Sequence, residues 1–185
     1  PRGSDTITFS HSGGTSTGSF SATSDPGTGT YTSNFTGVIS GTATTIEAQV
    51  NGTAVTTTLP TMSVLPGPIS LAKSQLFVTS PTVISGQNVT LRLVARDPNN
   101  NLLTAGGSIV TFGQNGGASV GTIGSTTDYG TGIYEATFTG VTSGTPTTIT
   151  AYISGSPVLM TPAPTIRITP GAPDPGQSLI EVVNS

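Results

Sequence analysis

The chain repeats itself at a domain-sized period. Shifted by 103 residues, the first half falls on the second: Tyr31 on Tyr134, Phe35 on Phe138, Asp25 on Asp128, and Gly13-Gly14 on Gly116-Gly117. About half of the aligned positions are identical without a gap, far above chance for a Thr/Gly-rich chain, and a period near 100 residues is that of a whole β domain. An array of related modules is therefore expected. The first copy aligns only from Ile7 onto Val110 and has nothing that corresponds to Leu71–Gly107, so it carries only the later strands of a module. Pro1-Arg2-Gly3-Ser4 reads as the remnant of a cleaved expression tag, which makes the chain a piece of a longer protein.

No segment has helical spacing, whereas several alternate with period two between Gly, Pro and Asn punctuation. Val89, Leu91, Leu93 and Ala95 occupy one face of the clearest, with Thr90, Arg92 and Arg96 on the other, and Asp97-Pro98-Asn99-Asn100 ends it. That pattern predicts a half-buried strand and a turn. Further strands are expected near 75–79, 108–112, 133–138, 147–153 and 158–168, the last broken or at an edge because Pro162 and Pro164 cannot donate to a ladder. The first copy predicts strands near 6–9, 17–22, 30–35, 44–50 and 53–65. About seven short strands per hundred residues make a β-sandwich.

The expected organisation is all-β: tandem immunoglobulin-like sandwiches, with a tag remnant at 1–4, a partial module at 5–65 and a Pro/Gly linker at 66–70. A complete module follows at 71–170, then a linker at 171–185 that includes the possible first strand of another module, 178–183. A half-sandwich at 5–65 would expose an apolar face and unpaired edges, open to self-association or to an adjacent repeat.

Composition narrows the function. Charged residues make up 7% of the chain, against about 25% in ordinary soluble domains, so hydroxyls and amides supply the polar surface. Five Lys and Arg residues and a net charge of −3 leave no basic stripe for a phosphate backbone, which argues against nucleic acid as a partner. With no cysteine there is no disulfide, thiol catalysis or Cys-ligated zinc. No apolar run is long enough to span a membrane.

The motif Asp128-Tyr129-Gly130-Thr131-Gly132-Ile133-Tyr134, followed by Phe138-Thr139-Gly140, resembles the bacterial immunoglobulin-like modules of invasin- and intimin-type (Big-1-like) adhesins. Asp25-Pro26-Gly27-Thr28-Gly29-Thr30-Tyr31 with Phe35-Thr36-Gly37 repeats it, and Ser85-Gly86-Gln87 and Asp97-Pro98-Asn99-Asn100-Asn101 resemble the same modules further upstream. Asn100 stands where those modules carry Gly, which implies a left-handed backbone supplied by Asn. The resemblance implies non-catalytic modules on a bacterial cell-surface or secreted adhesin, anchored in the outer membrane or released. It also implies a role in a stalk or near its tip, with a host or prey cell-surface protein or glycan as the partner.

Individual residues add little to that. Asp25, Asp97 and Asp128 are the acidic residues at polar turns where calcium could sit, yet each turn holds one carboxylate, and capping of backbone N–H groups is the simpler use. Tyr31 and Tyr134 match the buried tyrosine corner of immunoglobulin folds. Tyr129 and Tyr152 are the weak ligand candidates, since an outward aromatic ring is a platform for a sugar. His11, the one histidine, aligns with Gln114 and has no carboxylate beside it in sequence, so a catalytic triad is not expected. Lys73, beside the linker, reads as solvated, and no catalytic site or cofactor is expected. The other two readings are a self-assembling fibre or phage-tail-like protein with strands exchanged between chains, and a carbohydrate-binding accessory module.

Overall fold

The computed structural model describes residues 5–182. The tag reading of residues 1–4, and Val183 at the end of the tail segment, lie outside the described residues. Among those residues every regular element is a strand, so the all-β expectation holds. Two compact units result: one takes the chain up to Ile69 together with Arg96–Leu103, the other takes Ser70–Ala95 and everything from Thr104 onward.

The first unit contains β1 (Ile7–Ser12), β2 (Thr17–Phe20), β3 (Phe35–Ile39), β4 (Thr44–Val50), β5 (Thr53–Ala54) and β6 (Thr61–Met62). One sheet runs β1-β4-β5 with β6 also on β4, and β2-β3 forms a separate pair. Phe9 lies opposite Ala48 and His11 opposite Ile46, which puts the apolar positions of β1 and β4 on one face. The rings of Phe9 and Phe20 stack at 5.9 Å, and Phe20 meets Phe35 edge-on at 5.0 Å. His11 adds its ring edge-on to Phe35 at 5.7 Å, and its Nδ1 lies 3.3 Å from Thr44 Oγ1, which is a packing role. All four rings are only half-buried.

The second unit contains β7 (Gln75–Val78), β8 (Thr82–Ile84), β9 (Asn88–Val94), β10 (Val110–Asn115), β11 (Val120–Ile123), β12 (Thr127–Asp128), β13 (Ile133–Thr142), β14 (Thr147–Ile153), β15 (Ser156–Pro157) and β16 (Thr165–Thr169). Two sheets result, β11-β13-β9-β7 with β12 on β13, and β10-β14-β16-β8 with β15 on β14. Leu76, Leu91, Leu93, Tyr134, Ala136 and Phe138 from the first sheet are buried along with Ile149, Ala151, Ile153, Ile166 and Ile168 from the second. Gly140 shows how the sheets close: a Cβ there would lie 3.1 Å from Val83 and 3.3 Å from Ile168, both on the opposite sheet. Every fully buried apolar side chain among the described residues belongs to this unit.

Burial of Tyr134 follows the tyrosine-corner expectation, with 1% exposure and a hydroxyl that accepts the Ser108 N–H at 3.2 Å. Its counterpart Tyr31 is half-buried. The difference has a local cause: Tyr134 pairs with Leu93 of β9, and the first unit has no equivalent of that strand among the described residues. The same lack shortens the strand expected at 30–35. It begins only at Phe35, with Thr32 reduced to a single bridge to Ser24.

Other boundaries moved for chemical reasons. The run expected at 53–65 splits into β5 and β6 around Pro60, and the run at 158–168 keeps only its later part, as β16, after Pro162 and Pro164. No strand is formed at 178–182, where Leu179 and Ile180 are each 96% exposed. Sequence reading did not pick out β8: three residues are too few to show a period, and its parallel pairing with β16 is non-local.

The repeated Gly-Gly turns are the most constrained backbone positions. Gly116 and Gly117 have φ of 68° and 70°, a region L side chains rarely enter. A Cβ on Gly116 meets open space, whereas one on Gly117 would run into the Pro146 carbonyl oxygen, as one on Gly14 would into that of Ala43. Gly117→Ala is expected to cost about 2 kcal/mol or more, and Gly116→Ala about 1 kcal/mol, because only the first adds a clash to the backbone strain. Urea unfolding of the two variants, followed by fluorescence, checks the ranking.

Candidate binding surface

The loop after β12 presents Tyr129. Asp128 holds it from below: Oδ1 accepts the Gly130 N–H at 2.8 Å and Oδ2 accepts the Gly107 N–H at 2.6 Å. Gly130 and Gly132 take the positive φ values the loop needs, and the Tyr129 N–H closes it on the Ile133 carbonyl at 3.0 Å. Tyr129 is left 55% exposed, and its hydroxyl donates to Glu135 Oε2 at 2.9 Å. That hydrogen bond, with the charge of the same carboxylate, raises the Tyr129 hydroxyl above the ordinary phenol range.

Glu135 is placed by register. It lies between Thr127 of β12 and Arg92 of β9, and Arg92 Nε reaches Glu135 Oε1 at 2.8 Å. An aromatic wall, a carboxylate and the hydroxyls of Thr90, Ser125, Thr127 and Thr137 thus surround a shallow recess of about 130 Å³. Such a recess is too small to engulf a ligand and suits edge contacts to a sugar or a peptide side chain. The sequence singled out Tyr129 but not its partners. Their signal was the alternation of β13, which buries Tyr134, Ala136 and Phe138 and so turns Glu135 and Thr137 outward.

Tyr152 stands on the other sheet and does not join Tyr129. Its ring lies over Gly113, where a Cβ would come within 3.2 Å of it, so it covers a bare stretch of β10.

The three turn aspartates each face N–H donors. Asp25 Oδ1 accepts the Gly27 N–H at 2.8 Å, repeating Asp128. Asp97, 2% exposed, is more fully engaged: Oδ1 accepts from the Asn99 and Asn101 N–H groups, each at 2.9 Å, and Oδ2 from Gly67 N–H at 2.8 Å and Asn101 Nδ2 at 2.9 Å. Burial pushes the Asp97 carboxyl up, but the Asn101 side-chain bond and the three backbone donors together outweigh it and hold it below the ordinary carboxylate range. Asn100 has φ 68°, the left-handed residue expected at that turn. Asn101 then uses its side-chain amide like a piece of strand, donating to Val38 O at 2.8 Å and accepting from Ser40 N–H at 3.0 Å. Among the described residues no three His, Asp or Glu side chains gather as a metal-ligand set.

Two sheets with facing buried sides, the tyrosine corner and the Asp-capped Gly loop define an immunoglobulin-like sandwich of the bacterial invasin type. The chain belongs to the family described as invasin, domain 3, whose model matches residues 70–171. Among solved structures it is similar to Yersinia pseudotuberculosis InvD, at 23% identity and a TM-score of 0.56 over 97% of this chain and 51% of that one. The Escherichia coli adhesin FdeC gives 23% identity and a TM-score of 0.55 over 90% and 52%, and invasin, a bacterial integrin-binding protein, 22% and 0.55 over 92% and 34%. The chain therefore spans about half or less of the structures it matches. No curated protein matches it significantly.

Proposed function

We propose that the chain is part of a bacterial surface adhesin, anchored in the outer membrane or secreted, in which its two units are successive immunoglobulin-like stalk modules without catalytic activity. The observation that carries this reading is the match of the invasin domain 3 family to 70–171, a stretch that coincides with the fully buried core. A low-charge, hydroxyl-rich surface supports a role outside the cell. Adjacent repeats of the same protein are then the nearest partners, and a host or prey surface protein or glycan is met elsewhere on the full-length molecule.

The Tyr129–Glu135 recess favours a second reading, in which the second unit itself touches a glycan near the adhesive tip. Labelled chain applied to whole cells and to a polysaccharide panel is expected to show no saturable binding. Saturable binding that Tyr129→Ala abolishes would replace the stalk reading with the second. Calcium plays no part in the proposal, because the carboxylates of Asp25, Asp97 and Asp128 already face N–H donors. Chelation with EDTA is expected to leave the melting temperature unchanged within about 1 °C.

A further inference from the structure

We propose that Asn115 is a site of spontaneous deamidation, a one-way chemical modification of the second unit that the fold suppresses at the other Asn-Gly pair, in the first. The sequence has two such pairs, Asn51-Gly52 and Asn115-Gly116. They are the reactive ones because glycine has no side chain to keep the asparagine carboxamide away from the next main-chain nitrogen. At the 103-residue shift each falls on a Ser-Gly pair, Ser154-Gly155 and Ser12-Gly13. The backbone is unchanged by the exchange: φ is 50° at Asn51 and 49° at Ser154, and 68° at both Gly116 and Gly13. Asparagine is therefore not what holds either turn.

The two carboxamides differ in how they are held. Asn51 is clamped at both ends, since its Oδ1 accepts the Thr6 N–H at 2.8 Å and its Nδ2 donates to Asp5 Oδ1 at 2.9 Å. Its main-chain N–H also donates to the Thr6 carbonyl at 2.8 Å, so the whole residue is tied to the neighbouring chain. Asn115 is exposed at the end of β10 and is held through its main chain, by pairing with Thr148 and by the Thr147 hydroxyl, which donates to its carbonyl at 3.3 Å. Among the described residues its carboxamide has no hydrogen-bond partner. A Cβ on Gly116 would meet open space, and a recess of about 240 Å³ beside the amide, lined by Gln114, Ser119 and Thr147, admits water.

The reaction needs only hydroxide and water. Hydroxide takes the Gly116 N–H proton, and the nitrogen adds to Asn115 Cγ. The Cγ–Nδ2 bond then breaks, and Nδ2 leaves as ammonia with a proton from water, which regenerates the hydroxide. Water opens the resulting cyclic imide at either of its carbonyls. Opening at Cγ leaves an aspartate side chain on an unchanged backbone, whereas opening at the main-chain carbonyl carries the chain through Cγ and lengthens it by a methylene. Either product adds a negative charge to a chain of net charge −3. The longer backbone also leads into the Gly-Gly turn, where Gly117 lies too close to the Pro146 carbonyl oxygen to accept even a Cβ.

The test is incubation of the whole chain at mildly alkaline pH, in buffer and in concentrated urea, in heavy-oxygen water, with peptide mapping by mass spectrometry. In buffer Asn115 is expected to deamidate at least about tenfold faster than Asn51, because holding a reacting group out of its attack geometry costs up to about a hundredfold. Urea releases the clamp, and the two sites should then react at similar rates. Asn115→Ser, which installs the residue of the equivalent turn, should remove the acidic species that accumulates in buffer. The proposal is overturned if Asn115 is not the faster site in the folded chain, or if neither site reacts there while both react in urea. It is also overturned if the Asn115→Ser chain turns acidic at the original rate. A contrast that persists unchanged in urea overturns it as well, since neighbouring sequence rather than the clamp would then set the rates.

Discussion

Tyr134→Ala is expected to remove about 4 kcal/mol from the stability of the second unit, the range found when a large buried aromatic is truncated. The ring is 1% exposed and faces Leu93 across the strand pair, so its loss opens a cavity between two sheets that cannot collapse without dragging β9 and β13 together. Its hydroxyl also satisfies the Ser108 N–H, a bond that Tyr134→Phe removes alone, at about 1 kcal/mol. A thermal melt of the alanine variant should therefore fall by roughly 20 °C, that of the phenylalanine variant by about 5 °C. A wild-type melting temperature for the alanine variant would sink the corner assignment. Tyr31→Ala serves as the paired measurement: half-buried beside an open edge, it should cost about a third as much.

Asp97→Ala is expected to destabilise the first unit by about 3 kcal/mol, because four N–H donors lose one carboxylate at a buried position. Asp97→Asn should cost nearly as much, since an amide nitrogen in place of either oxygen turns a donor toward donors. Hydrogen exchange at Gly67, Asn99 and Asn101 locates the damage. The carboxyl is held below its ordinary range in the folded chain. Its contribution is therefore present above the unfolded value, about 3.9, and is lost as pH falls through the lower folded value. Stability of the first unit should be flat from neutral pH down to about 4 and decline below it, and the Asp97→Asn variant should lose that acid limb. An unchanged acid limb in the variant would show that another carboxylate is responsible.

Local chemistry was legible in the sequence where it is local in space. The alternation of β9, the breaks at Pro162 and Pro164, the Asp-capped Gly loops and the left-handed Asn100 all rest on interactions within a few residues. The pairing of Asp97 with Gly67, 30 residues away, has no such signature, nor has the grouping of Arg96–Leu103 with the first unit. The surface around Tyr129 falls between these cases. Outward placement of Glu135 could be read from β13, but its meeting with Arg92 depends on the register between β13 and β9, which a one-residue slip would reverse. The shortened β3 was missed because strand propensity at 30–34 is satisfied only when a neighbour stands beside it.

The scarcity of ions in this fold has an environmental reading. Arg92 pairs with Glu135, and hydroxyls and amides supply most of the remaining polar surface. Dissolved salt acts on proteins chiefly by screening charges over about 10 Å at 0.1 M, and here there is almost nothing to screen. Raising the ionic strength from a few millimolar to that of a concentrated salt solution should therefore leave the strands, turns and caps of each unit unaltered.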